Sequence, residues 1–290
     1  MTTNPASKSG EARFAFGENW RDYVELVDEK RIEAAGRSLA QALGVRDLTG
    51  SSFLDIGCGS GLFSLAAHRF GAKVHAFDYD PKSVAASVEL RRRFAPDSQW
   101  KIEQGSILDV DYTKGLGLHD IVYSWGVLHH TGDMWRAIGA TASLVAPGGL
   151  LYIALYNDQG IPSRLWWRLK RKYVRSGPAM RNALVLAAGT YFSARTAIGQ
   201  SIKRRTGTPS ESGARYRAMS RRHDLIDWVG GFPFEVAKPD EVFSFFRDRN
   251  FELRHLTTCG GSLGCNEYVF RAPSSGESPY EHFIIPQPGK

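Results

Sequence analysis

The chain has 290 residues, 42% of them hydrophobic and 23% charged, which is ordinary globular composition and excludes wholesale disorder. At ~150 residues per domain this allows one large domain or two small ones. No apolar run approaches the ~20 residues of a membrane-spanning helix, the N-terminal MTTNPASKSGEAR lacks the apolar stretch of a signal peptide, and three cysteines make no disulfide framework. The expectation is a soluble, cytoplasmic protein.

The net charge of +7 is unevenly spread. Residues 157–235 hold 15 basic and 5 acidic residues, which leaves 22 basic and 25 acidic elsewhere. One segment therefore carries the whole positive excess, and it calls for an anionic partner or a well-solvated basic face.

In chain order, FAFGENWRDYVELVDEKRIEAAGRSLAQAL reads as one amphipathic helix behind an aromatic turn. SSFLDIG is a buried strand and GLFSLAAHRF a helix. KVHAFD is the next strand. PKSVAASVELRRRF is a helix with Pro81 at its first position and Asp80 as its cap. WKIEQ and HDIVYSW are strands, DMWRAIGATASLV a helix and PGGLLYIALY a strand. After Tyr156 the alternation stops for about 80 residues, then resumes with the helix PDEVFSFFRDRN and the strands FELRHLTTC and GCNEYVFRA. The Gly-rich turn GGSLG makes that last pair antiparallel. Such alternation predicts a mostly parallel α/β sheet whose ligands sit at the carboxyl ends of the strands.

The strongest motif is Leu54-Asp55-Ile56-Gly57-Cys58-Gly59-Ser60-Gly61, between a strand and a helix. Its third glycine comes too early for the dinucleotide G-x-G-x-x-G, and an acid two residues before the first glycine would repel a pyrophosphate. An amine-bearing or cationic ligand suits it better. The pattern resembles the cofactor loop of class I S-adenosylmethionine-dependent methyltransferases over roughly residues 50–156 and 236–271. The resemblance implies a Rossmann-like, seven-stranded, mostly parallel sheet with a final antiparallel strand, and S-adenosyl-L-methionine as cofactor. It implies that Gly57, Gly59 and Gly61 line the methionine part and that Asp55 meets its amino group. Asp78, 17 residues after Gly61 at the end of the second strand, would take both ribose hydroxyls, with Tyr79 beside it. Ser106 and Ile107 fall on the adenine side, and Ser124 at the end of the fourth strand.

On the acceptor side, Ser124-Trp125-Gly126-Val127 lacks the proline pair of amine methylases. His129 and His130 are the candidate bases for a hydroxyl acceptor, with His130 preferred. Trp125 is a pocket wall or a core aromatic. Asn157, Asp158 and Glu267 lie at strand ends where an acid or amide could orient an acceptor, and each is equally a turn residue. Phe16, Trp20 and Tyr23 would form a lid. Cys58, Cys259 and Cys265 have no zinc spacing, so no metal is expected.

The basic stretch SRLWWRLKRKYV (Ser163–Val174) places Trp166, Leu165, Leu169 and Tyr173 on one side of a helix and Arg164, Arg168, Arg171 and Lys172 on the other. With the apolar residues 183–192 and Lys203-Arg204-Arg205 it reads as an interfacial segment for an anionic membrane surface through 163–205, a cap over a pocket for a greasy or phosphorylated substrate, or a small helical subdomain that packs Trp166 and Trp167 against the core. Val145-Ala146-Pro147-Gly148-Gly149 resembles the strand entry of the ubiquinone-pathway O-methyltransferases, which carry a lipid-facing insertion at the same place. The organisation is then a disordered 1–13, an N-terminal helical lid at 14–48, a core at 49–156 and 236–271, a basic helical insertion at 157–235 and a flexible tail at 272–290. The acceptor is a small or lipid-like hydroxylated molecule. The alternatives are an RNA or protein methyltransferase docking through the insertion, with nucleic acid disfavoured by its apolar content, and a cofactor-binding scaffold without turnover.

Overall fold

The computed structural model describes residue 14, residues 16–206 and residues 221–274. Seven strands form one sheet: β1 (Ser52–Ile56), β2 (Lys73–Asp78), β3 (Lys101–Gln104), β4 (His119–Trp125), β5 (Val145–Tyr156), β6 (Glu252–Thr257) and β7 (Cys265–Arg271). Their spatial order is β3-β2-β1-β4-β5-β7-β6. Neighbours from β3 to β5 pair in parallel, and β7 runs antiparallel to both β5 and β6. The order reverses at β1, which pairs with β2 on one side and β4 on the other, so a crevice opens at the carboxyl ends of these strands.

Side chains alternate faces along each strand, and this builds two cores. Phe53, Ile121, Tyr123 and Tyr152 join one face, and Leu54, Ile56, Val122, Leu151 and Ile153 the other. The first face is covered by α2 (Glu29–Leu43), α3 (Leu62–Arg69) and α4 (Pro81–Phe94), through Ile32, Leu39, Leu65 and Leu90. The second is covered by α6 (Met134–Ala142) and α10 (Pro239–Arg247), through Ile138, Val242 and Phe246. A short α5 (Val110–Lys114), opened by the Asp109 side chain, lies between β3 and β4 and was not legible as a helix.

Three expectations need correction. The N-terminal helix is two: α1 (Gly17–Glu25) and α2, because Asp28 takes an extended backbone and its carboxylate accepts from Arg31 N, which starts a new helix. Of the expected tail, Ala272 is buried and its N–H donates to Gly149 O at 2.8 Å, which continues the pairing of β7 with β5. Residues 1–13 and 275–290, expected to be loose, lie outside the described residues.

The third correction concerns one face of the insertion, which otherwise follows the small-helical-subdomain reading. It forms α7 (Ile161–Val174), α8 (Pro178–Thr206) and α9 (Arg221–Gly230). The buried side of α7 is Ser163, Trp166, Lys170, Tyr173 and Val174, whereas Leu165 is 58% exposed. Trp166 stacks on Phe192 of α8 with centroids 5.6 Å apart, and a third core gathers Trp166, Tyr173, Ala188, Val229, Phe232 and Phe234. The bulky aromatics thus serve a local helical core. Lys170 sits within it, fully buried, with its ammonium donating to Trp228 O and facing the rings of Tyr156, Trp228 and Phe234. Residues 232–237 then return beside the end of β5, with Ala237 N donating to Tyr156 O and Asp158 N to Ala237 O.

Phe246 is fully buried and stacks on Phe270 at 4.2 Å between centroids. Phe246→Ala removes this ring from the core, and chemical denaturation should show a loss of about 3–5 kcal/mol.

Candidate cofactor and acceptor site

The crevice holds a cavity of about 600 Å3, within the usual range for small-molecule sites. Its floor is the turn after β1. Gly57 and Gly59 there have φ of 73° and 55°, in the left-handed region that side chains disfavour. A Cβ at Gly57 would collide with Val127, and one at Gly59 would come within 2.9 Å of the Trp20 ring. The backbone is therefore bare where a ligand must approach it. Gly61 serves differently. It precedes α3 and packs on Ser87 and Trp100, outside the cavity lining.

Two carboxylates reach this floor. Asp55, on β1, is 2% exposed and accepts from Ser64 Oγ at 2.6 Å. Burial pushes its pKa up to about 7 despite that bond. Asp78, at the end of β2, accepts from Gly59 N at 3.0 Å and Asp80 N at 2.9 Å. Burial again prevails, and its pKa rises to about 6. A cationic group between them would reverse both shifts.

Asp80 is a helix cap, accepting from Lys82 N, and its second oxygen accepts from Gly17 N at 2.9 Å. One carboxylate thus caps α4 and latches α1 over the cavity. From α1 and the turn before it, Phe16, Trp20 and Tyr23 line the cavity roof. Tyr23 is 4% exposed and also belongs to the core, so it is as much packing as lid.

Tyr79, Gly105, Ser106 and Ile107 line one end. Ser106 Oγ accepts from Leu108 N at 3.2 Å, and Gln104 Nε2 donates to Tyr79 O at 3.1 Å. At the other end stand Trp125, His130, Tyr156, Phe232 and Pro233. His130 Nδ1 lies 2.6 Å from Pro233 O. A carbonyl only accepts, so Nδ1 carries the hydrogen and Nε2 is the basic nitrogen of the neutral ring.

The remaining sequence candidates lie elsewhere. Ser124 is fully buried, outside the cavity lining, and donates to Ile56 O at 3.0 Å, which ties β4 to β1. His129 is fully buried behind the cavity wall, with Tyr156 N donating to its Nδ1 at 3.3 Å. Asp158 accepts from Gly160 N in a turn before α7. Asn157 Oδ1 accepts from Asn266 Nδ2 at 3.0 Å, and Glu267 accepts from Tyr152 OH at 2.6 Å. None of these three lines the cavity. Sequence reasoning missed Tyr156, Phe232 and Pro233. The only available signal was the aromatic–proline run Phe232-Pro233-Phe234 just where the sheet pattern resumes.

A family model described as "Methyltransferase domain" matches residues 27–196, more than half of the chain. The chain belongs to this methyltransferase family. Curated relatives include a ubiquinone biosynthesis O-methyltransferase of Brucella melitensis, 34% identical over 120 residues, or 39% of this chain and 44% of that one. Another, of Rhizobium rhizogenes, is 34% identical over 135 residues, 46% of this chain and 51% of that one. The methyltransferase chain thus spans about half the length of the curated relatives it matches. Among solved structures, magnesium protoporphyrin IX methyltransferase from Synechocystis aligns with a TM-score of 0.51 and 15% identity, covering 88% of this chain and 93% of that one. An O-methyltransferase family protein from Burkholderia thailandensis aligns with a TM-score of 0.51 and 15% identity, covering 90% and 60%. These likenesses show the shared fold. The expected Rossmann-like sheet with one antiparallel strand is the fold observed.

The raised Asp55 pKa fixes a pH dependence. Between the unfolded value near 3.8 and the folded value of about 7, the unfolded chain has released a proton that the folded protein keeps. This group's contribution to stability therefore falls as pH rises through that window. Relative to wild type, Asp55→Asn should be more stable at pH 8 than at pH 5 by roughly 2–4 kcal/mol. Urea unfolding at the two pH values checks it, and an equal gap at both would refute it.

Proposed function

We propose that this protein is an S-adenosylmethionine-dependent methyltransferase acting on a hydroxyl oxygen of a small or lipid-like acceptor. The observation that carries the reading is one continuous cavity with two chemically different ends. Buried carboxylates on a bare glycine turn form one end, and a tautomer-fixed histidine among aromatics forms the other.

The residues fit the cofactor. Asp55 is a buried carboxylate that gains from a cationic amino group. Asp78 keeps acceptor capacity for ribose hydroxyls beyond its two backbone donors. Gly57 and Gly59 leave room for the methionine part, Ser106 and Ile107 would face the adenine, and Trp20 covers the turn. When bound, the cofactor supplies a methyl activated by its sulfonium. The protein then has to align the acceptor and receive a proton. Trp125, Tyr156 and Phe232 would hold the apolar body of the acceptor, and His130 would take the hydroxyl proton at Nε2. Pro233 O, bonded to Nδ1–H, holds that ring in place and stabilises it once protonated. The curated O-methyltransferase relatives favour oxygen as the acceptor atom.

Calorimetric titration with S-adenosylmethionine, S-adenosylhomocysteine and NAD tests the cofactor. The first two should bind, and Asp78→Ala should weaken them about 100-fold. At pH 6 binding should release protons, read from the heats in buffers of different ionisation enthalpy, as Asp55 ionises against the ligand's amine. NAD binding in their place would overturn the reading. His130→Gln should lower kcat about 10²–10⁴-fold on phenolic or lipid-like acceptors and leave cofactor affinity unchanged. Cofactor binding with no transfer to any hydroxylated acceptor would instead support a scaffold.

A second reading concerns the insertion's outer side. Ile161, Leu165, Met180, Leu186 and Tyr191 are exposed large apolar residues on α7 and α8, beside exposed Arg164, Arg168, Lys172 and Arg175. This mixture suits an anionic lipid surface. It differs from the Trp166 face that the sequence suggested, since that face is buried. The protein should co-sediment with vesicles rich in anionic lipid and not with neutral ones. Leu165→Glu with Leu186→Glu should abolish the difference.

A further inference from the structure

Gly17 opens α1 and is buried. It is not among the glycines with positive φ, so backbone conformation does not demand it. Close approach does. A Cβ there would come within 2.5 Å of Lys82 Cβ and 2.6 Å of Asp80 Oδ2. Glycine thus lets the first turn of α1 rest on the first turn of α4, with Gly17 N donating to Asp80 Oδ2 at 2.9 Å. At the other end of α1, Arg93 of α4 donates to Val24 O at 2.5 Å. That end is also anchored in the core by Val24 and Val27.

The Gly17–Asp80 bond stands between the two ends of the cavity. On one side, Asp80 N donates to Asp78 Oδ1 at 2.9 Å, and the other Asp78 oxygen accepts from Gly59 N at 3.0 Å. On the other side, the residue before Gly17 is Phe16, whose ring centroid lies 4.9 Å from that of His130 at a tilt of 49°. Three residues after Gly17, the Trp20 ring covers Gly59. Pro233 O holds His130 at Nδ1, and Tyr156 meets the ring edge-on at 5.4 Å. Phe16 is the contact that α1 brings to it.

We propose that Gly17 is a positioning residue for methyl transfer. Its bond to Asp80 sets the start of α1 so that Phe16 holds the His130 ring in place. The role of His130 as base rests on the methyl-transfer reading above, whereas the latch and its contacts do not. The bare backbone at Gly17 serves contact between two helices. Gly57 and Gly59 instead leave room for a ligand.

Two variants remove the bond from opposite sides. Asp80→Asn keeps an oxygen to cap α4 and replaces the other by an amide nitrogen, which cannot accept from Gly17. Gly17→Ala keeps the Asp80 charge and forces the two first turns apart. Heteronuclear NMR of the ligand-free full chain reads the Trp20 indole and the His130 ring. Both should shift in each variant. The double variant should shift them no further, because both changes break one bond. At saturating S-adenosylmethionine and phenolic acceptor, kcat should fall about tenfold in each variant, as a displaced base transfers the proton poorly. A loss that saturating cofactor restores would reduce α1 to a cofactor lid and overturn the proposal. So would His130 resonances that stay at their wild-type positions, or effects that add in the double variant. If the wild type transfers no methyl group, the methyl-transfer reading falls, and the NMR shifts alone decide for or against the latch.

Discussion

Two carboxylates buried at the carboxyl edge of a parallel sheet set the terms for the rest of this molecule. Asp55 and Asp78 sit on adjacent strands, β1 and β2, and receive only neutral hydrogen-bond donors. Keeping them there costs free energy in the unliganded protein, as the raised pKa values record. Two well-packed cores on either side of the sheet offset that cost. The glycine turn, the α1 roof and the third-strand loop are then arranged around the carboxylates, and each leaves or closes space that only a bound molecule would use.

The sheet was legible because its signals are local and redundant. Strands such as KVHAFD and HDIVYSW are short, β-branched or aromatic, and bounded by turns, and their two-residue period sorts the side chains between the two cores. The glycine turn was legible for a similar reason, since Gly57 and Gly59 are dictated by local backbone geometry. The break between α1 and α2 was hidden because the apolar pattern runs through it, and only the capping preference of Asp28 divides it.

Side-chain destinations were harder to read. His129 and His130 are adjacent in sequence, yet a short 3-10 turn at Leu128–His130 sends one ring into the core and the other to the cavity wall. Ser124 was placed correctly at a strand end, but its hydroxyl turns to the neighbouring strand. For α7, a helical wheel ranks residues by polarity and takes no account of what packs beside them. Trp166 is buried against Phe192 of α8 and Trp228 of α9, and Lys170 among Trp228, Tyr156 and Phe234, while Leu165 is left outside. A lysine of this kind is invisible to composition, where it counts as one more surface charge.

The far wall of the cavity comes from distant stretches of chain. Phe14 N donates to Phe232 O at 2.9 Å, and the Phe14 ring covers Gly230, where a Cβ would have no room. The first described residue therefore closes against a strip made more than 200 positions later. During ribosomal synthesis, β1 to β4 and the glycine turn can assemble while this strip is still unmade. The acceptor end acquires its wall only when the chain has passed Pro233. This closure spans more than 200 residues, so it carries a large loop-closure entropy. The order of manufacture thus separates the two ends of the cavity: the residues of the carboxylate end are made early, and Phe232 and Pro233 of the aromatic end are made late.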